Sequence, residues 1–409
     1  LLLFDLLTGR LGLFPEGGWW VGNVRVASSV CGSWHVKPSL TIGFARDSPD
    51  PVAMDALSGS DMWIVGHAHD AYDNTTPAYL ALHRNGYSSR VSLVPHPPHY
   101  SFGAGDLYLM DVEMVASNDV WTVGTGGGEG NTIIEHWNGF QWSIVAGPRI
   151  GQQYSAFYSL AAVDKNDIWA VGSTHARGDE VSHSLVGHWD GSAWSLVPTP
   201  DVGALNAVAA ISGKDVWAVG YSKSLHWDGT EWTAVGVPEG YWEAVAASAS
   251  DDVWLAGWTR RILNPATVID TPAIAHWNGT GWSSIPLNDV PRIGPDEKGR
   301  LNAITAVTKD DVWAVGVSIG EPRLNPDGFE LPPYGHTLVM HWDGKTWSYV
   351  PGPDVSQSQH LTDIRAFGRD EIWVLGELDD LGSGNRVLVA QFARRPCGDA
   401  LWLKPRAGK

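Results

Sequence analysis

The chain has 409 residues, 44% hydrophobic and 18% charged, a balance that argues against a disordered polyelectrolyte. Its 23 Trp residues are far above ordinary usage, and each buries on the order of 150–250 Å², so core material is abundant. A net charge of −18 argues against nucleic acid or an anionic membrane surface as the main partner, and no apolar run of about 18 residues is present to span a bilayer.

Residues 1–30 stand apart from the rest of the chain. Leu1-Leu-Leu-Phe-Asp-Leu-Leu is apolar but short, has no basic leader and carries Asp5, so it is a poor signal peptide. Without an initiator Met, the chain is expected to be a processed or truncated product. The Leu-rich content and Trp19-Trp20 suit either a strap or a surface that docks onto a protein partner.

From Cys31 onward one phrase recurs. Asp-Val-Trp-Ala-Val-Gly occupies Asp215–Gly220 and Asp311–Gly316, with near copies starting at Asp61, Asp119, Asp167, Asp252 and Glu371. Most copies are followed by His-Trp-Asp/Asn-Gly-x-x-Trp. The unit from Ala204 to Pro238 shows the element order. Leu205-Asn-Ala-Val-Ala-Ala-Ile is a strand-length apolar run, and Ser-Gly-Lys-Asp makes a turn. Val216-Trp-Ala-Val, Ser224-Leu-His-Trp and Trp232-Thr-Ala-Val are three further runs, the last after an Asp228-Gly229 turn. Four short strands repeated seven times predict an all-β, seven-bladed β-propeller.

Unit seven stops after its third strand, at Gln391-Phe392. Its missing fourth strand has a candidate near the other terminus: Gly32-Ser-Trp34-His-Val36-Lys-Pro38 reads like Gly-x-x-Trp-Ser-x-Val-Pro, one residue short. The last blade is therefore expected to close three-plus-one with the N-terminal strand, which removes open sheet edges. This divides the chain into an extension at 1–30, a propeller at 31–396 and a tail at 397–409, and the basic residues gathered towards the C-terminus (Arg394, Arg395, Lys404, Arg406, Lys409) are too few to reverse the charge argument. The two cysteines, Cys31 and Cys397, fall near one turn, and a disulfide between them is expected to lock the ring and to imply an extracellular, secreted location.

The pairing of these two phrases resembles the repeat of secreted actinobacterial β-propellers, related to the kelch and galactose-oxidase central-domain group. The resemblance covers roughly residues 31–396. It implies the fold and leaves function open, because that group hosts lectins, enzymes and adhesive scaffolds.

Comparing the seven copies separates the faces. The turns before the second and fourth strands are uniform, whereas the loops between the second and third strands vary in length and content. Function is expected on that variable top face. His67, His69, Asp70 and Asp73 have donor types suited to Ca or a transition metal, and His175, His183 and His336 lie on loops of the same face. No cofactor is firmly implied, and a solvated polar loop explains the cluster as well. Trp258, Arg260 and Arg261, beside Tyr241 and Trp242, suit a ligand site: aromatic rings stack on sugars, and guanidinium groups bind carboxylated or sulfated glycans. The repeated His-Trp-Asp-Gly is expected to be structural, since catalysis rarely needs five copies. No Gly-x-Ser-x-Gly, phosphate loop or His-Glu-x-x-His is present. Acidic pairs among Asp179, Glu180, Glu321, Asp327, Asp379 and Asp380 have the residue types for glycosidase chemistry. The leading reading is a secreted module binding a glycan or other cell-surface ligand. The alternatives are a metal-assisted lyase, hydrolase or oxidase with one top-face site, and an assembly module docking through residues 1–30.

Overall fold

The structure is a computed structural model that describes residues 2–5, 10–13, 31–37, 47–70, 78–86, 88–91, 108–126, 131–148, 150, 153–176, 181–264, 267–287, 298–320, 323–324, 330–331, 335–356, 358–380 and 384–394. Among these residues there is no helix. Seven four-stranded antiparallel sheets form the blades of a β-propeller, and two small hairpins, Leu2–Asp5 with Arg10–Leu13 and Arg323–Leu324 with Glu330–Leu331, lie outside them.

The first strands of the seven blades are Asp47–Ser58, Tyr108–Ala116, Gln153–Asp164, Leu205–Ser212, Tyr241–Ala249, Lys298–Thr308 and Ser358–Ala366. They neighbour one another in this order and back to the first, so they line the axis. Every first strand carries a bulge opposite the Gly that ends the Asp-Val-Trp-Ala-Val-Gly phrase. That Gly is required by close approach. A Cβ on Gly124 would stand 1.8 Å from the carbonyl oxygen of Tyr108, and one on Gly220 2.1 Å from that of Ala204.

The recurring side chains weld blade to blade. In six blades the His of His-Trp (His-Arg in blade 1) bonds through Nε2 to the Asp that opens the second strand, from His83–Asp61 at 3.0 Å to His341–Asp311 at 2.8 Å. Blade 7 does the same with Gln391 and Glu371 at 3.2 Å. The imidazole covers the second-strand Trp, as in His226 over Trp217 at 4.4 Å. The other side of that Trp meets two Trp residues of the next blade: Trp217 touches Trp277 at 5.0 Å and takes the edge of Trp282 at 5.4 Å and 90°. The pattern repeats at Trp63, Trp121, Trp169 and Trp254. The His and Asp of the phrase are thus structural.

Ring closure obeys the same rule with substitutes. Gly32–Val36 pairs with the third strand of blade 7, Gly384–Arg394, in the register Gly32 to Arg394 and Val36 to Ala390. Phe392 meets Trp313 of blade 6 at 5.2 Å, and Trp34 meets Phe392 at 5.1 Å while donating from Nε1 to the carbonyl of Pro351 at 2.8 Å. Between blades 7 and 1, where blade 1 has Arg84 in place of the third-strand Trp, the contact becomes cationic: Arg84 lies over Trp373 at 4.9 Å and Lys37 at 5.1 Å.

One blade interior breaks the pattern. The residue before the His or Gln is Leu82, Gly187, Leu225, Ala275, Met340 or Ala390 in six blades and Glu135 in blade 2. Glu135 is 2% exposed and its Oε2 has no partner among the described residues. Burial pushes its carboxyl from 4.5 up to about 8. Because the folded-state value is raised, ionisation costs stability progressively as pH climbs from about 4.5 to about 8. Glu135→Leu is therefore expected to raise the melting temperature at pH 8 by an amount corresponding to ~1–3 kcal/mol, with the gain shrinking towards pH 4.5. Calorimetry at the two pH values checks this, and an equal gain at both contradicts it.

Candidate functional site

The second strand of blade 5 runs from Asp252 to Asn264 and the third from Thr267 to Trp277. The segment after Trp258, which the sequence presents as a loop insertion, is instead a continuation of this ladder. Its Thr, Val and Ile residues suit extended cross-strand pairing, with Trp258 opposite Pro272 and Arg260 opposite Asp270. The result is a stiff arm standing above the top face.

The arm leans on blade 6 through a shared carboxylate. Asp270 is buried and accepts from Arg260 (Nε to Oδ1, 3.0 Å; Nη2 to Oδ2, 3.4 Å) and from Arg300 of the blade 6 first strand (Nε to Oδ2, 3.1 Å; Nη2 to Oδ2, 2.5 Å). The two guanidinium groups hold its carboxyl below the usual carboxylate range against the cost of burial. Both cations also lie over the Trp258 ring, Arg260 at 4.6 Å and Arg300 at 4.4 Å. Tyr241 stacks on Trp258 at 4.0 Å and 8°, and the half-exposed Tyr221 meets Tyr241 edge-on at 5.8 Å.

Beneath them, Glu243 occupies the first-strand bulge of blade 5. It accepts from Trp258 Nε1 at 3.3 Å and from Asn206 Nδ2 at 3.4 Å. Burial pushes its carboxyl up, against the Trp258 hydrogen bond and the Arg300 charge. The equivalent bulge residues are Val52, Met110, Tyr158, Asn206, Asn302 and Thr362. Blades 3 to 6 therefore present a polar and aromatic half of the upper mouth, and blades 1 and 2 an aliphatic half.

The structure gathers Tyr241, Trp258 and Arg260 and leaves Arg261 exposed on the arm. Trp242 is 1% exposed and packs with Trp217 and Val253 in the core, where blades 2, 4, 6 and 7 place Leu and blade 3 places Phe157. Trp258 is itself 5% exposed, its ring covered by Tyr241 and the two Arg residues, so it supports the ledge rather than offering an open face. Arg300, Asp270, Glu243, Asn206 and Tyr221 were not singled out by sequence reasoning. The bulge residues become visible when first strands are aligned on the invariant Gly.

The described histidines each have their own setting. His67 lies within the second strand of blade 1, Asp61–Asp70, bonded to Asp50 at 3.0 Å with its ring edge-on to Tyr108. His175 stacks on Tyr154 at 5.1 Å, and His183 pairs with Asp201 at 2.5 Å. His336 is half-buried in blade 6. Among the described residues no group of three or more His, Cys, Asp or Glu is arranged to hold a metal ion. The side chains of His69, Asp70, Asp379 and Asp380 lie outside the described residues, as do Asp73, Asp179, Glu180, Glu321, Asp327 and Cys397 entirely.

A second irregularity lies deeper in the channel. Two residues along from the bulge pair, blades 3 to 5 carry Ala161, Ala209 and Ala246, while blades 7, 1 and 2 carry Arg365, Asp55 and Glu113. Asp363 and Asp111 likewise replace the Ala seen at Ala207, Ala244 and Ala303.

No protein-family model matches the chain, and no curated protein matches it. Solved structures do, at the level of fold. The structure of U3-55K superposes with a TM-score of 0.53 at 10% identity, covering 88% of this chain and 98% of that one. The crystal structure of RRP9 WD40 repeats does so with a TM-score of 0.51 at 10% identity, over 88% of this chain and all of that one. These likenesses support the propeller architecture. No helix among the described residues is long and apolar enough to cross a membrane.

Asp270→Ala removes the shared anion and leaves two cations facing each other. Both guanidinium groups are about two-fifths exposed, at 39% and 43%, so solvent screening keeps the effect local and modest. Hydrogen exchange of the arm amides at Thr259–Ile262 and Ile269–Thr271 is expected to quicken about tenfold while the blade 4 core stays unchanged. Unchanged arm exchange contradicts the clamp.

Proposed function

We propose that this chain is an extracytoplasmic binding module that takes an acidic glycan at the polar half of its upper mouth. The observation that carries this reading is the Arg260–Asp270–Arg300 ledge. Two guanidinium groups share one carboxylate, each spending Nε and Nη2 on it and keeping Nη1 for a ligand. The ledge has a local charge of +1 on a chain of −18. The fork geometry of Arg suits carboxylate and sulfate oxygens. Tyr221, Tyr241 and the amide of Asn206 add an aromatic edge and a hydroxyl-matching group beside the charges. A ligand seated there meets groups fixed in advance by Trp258 and Asp270, which lowers the ordering cost of binding.

The test is a titration with uronic-acid or sulfated oligosaccharides against neutral ones. Binding is expected for the acidic set only, weakening with salt, and Arg260→Ala or Arg300→Ala is expected to weaken it about tenfold or more. Equal binding of neutral sugars, or retention of binding in both variants, overturns the reading.

The location outside the reducing cytosol rests on the cysteines. Cys31 directly precedes the closing strand, whose first residue pairs with Arg394, and Cys397 comes three residues later. Gly32 and Arg394, the described residues on the propeller side of the two cysteines, pair at one corner of blade 7, and no described cysteine is a free thiol. A Cys31–Cys397 bond fits that corner. Non-reducing peptide mapping is expected to return the two cysteine peptides linked. Alkylation of both thiols in denaturant without reductant rules the bond out.

A further inference from the structure

The ionisable groups of the channel form a continuous seam. Each carboxylate reaches from one first strand to a backbone amide of the next. Asp363 of blade 7 accepts from Met54 N of blade 1 at 2.8 Å, and Asp55 of blade 1 from Met114 N of blade 2 at 2.6 Å. Asp111 and Glu113 of blade 2 accept from Leu160 N at 2.8 Å and Ala162 N at 3.3 Å in blade 3. The next joint uses a neutral group: Ser159 Oγ accepts from Val208 N at 3.3 Å. One cation serves the seam, Arg365, whose Nε donates to Asp55 at 3.0 Å.

We propose that the seam joining blades 7, 1, 2 and 3 is a proton-dependent latch, tight in mildly acidic surroundings and looser as the pH rises. Four carboxylates with one guanidinium leave three uncompensated negative charges on largely buried side chains when all are ionised. A protonated carboxyl still accepts the amide through its carbonyl oxygen, so protonation relieves repulsion without undoing the staples. The groups that act on one another come from every strand of the seam: Asp363 and Arg365 from blade 7, Asp55 from blade 1, and Asp111 and Glu113 from blade 2. Blade 3 contributes only the Ser159 hydroxyl.

The titration has a definite sign. Burial lifts Asp111 from 3.8 to about 6, and lifts Asp363, while burial and then the facing Asp55 charge lift Glu113 well above its ordinary value. A carboxyl raised on folding contributes stability that is complete below its unfolded value and is lost as pH climbs through the folded one. The loss therefore begins near pH 4 and passes through about 6 for Asp111, with Asp363 and Glu113 adding to it in the same direction. Ordinary acid denaturation runs the other way.

Native-state hydrogen exchange on the whole chain reads the latch directly. Protection of the Met54, Met114, Leu160 and Ala162 amides, corrected for intrinsic rate, is expected to fall about tenfold or more between roughly pH 5 and pH 8. The Val208 amide, held by a hydroxyl, is expected to keep its protection. The double variant Asp111→Asn, Glu113→Gln is expected to flatten the response at Leu160 and Ala162; should it not fold, Glu113→Gln alone is expected to flatten it at Ala162. A parallel fall at Val208, constant protection at the four amides, or an undiminished fall in the variant overturns the proposal.

Discussion

The contact on which this molecule depends is the second-strand Trp held between its own blade's His and the next blade's Trp pair. The Asp–His hydrogen bond fixes the imidazole, the imidazole covers one side of the indole, and the neighbouring blade supplies the other. No single blade completes this arrangement, which is why the repeat is stable only as a ring. Burying some 20 indole and imidazole rings in this way places most of the Trp content in structural service. It also explains why the variable chemistry is confined to what the ring leaves uncommitted.

Two uncommitted regions emerge, and both sit on the axis. The upper mouth is asymmetric, with tyrosines, amides and the Arg260–Asp270–Arg300 ledge on blades 3 to 6 and aliphatic residues on blades 1 and 2. The channel wall is asymmetric in the opposite sense, with its ionisable groups on blades 7, 1 and 2 and alanines or neutral polar residues elsewhere. The joint between blades 7 and 1 is also where Arg84 stands in for the third-strand Trp against Trp373. Cohesion around the ring closure is thus electrostatic as well as apolar.

The fold was legible because the side chains that touch across blades are the ones the two phrases repeat. The closing strand was legible for the same reason: Trp34 carries the fourth-strand signature although it lies some 350 residues from its partner strand. The candidate site was only partly legible. Tyr241, Trp258 and Arg260 fall within one repeat, but Asp270 and Arg300 come from the far limb of the arm and from the next blade, and their pairing is a matter of tertiary placement. Trp242 was misleading because it neighbours Tyr241 in sequence, while strand alternation sends the two to opposite faces. The channel carboxylates were hidden by the first-strand bulge, which shifts the two-residue period and obscures which residues face the axis. The His67 segment looked like a metal loop by composition, yet its extended pairing gives His67 a nearby carboxylate partner in Asp50.

The aromatic contacts that join the blades extend across the ring closure through Phe392 and Trp34. Thermal unfolding of Trp34→Ala tests this most directly. One cooperative transition is expected, displaced downward by at least the equivalent of ~2 kcal/mol, because the packing of Trp34 on Phe392 and its bond to Pro351 are lost together. A melting temperature within about a degree of the parent protein would contradict it.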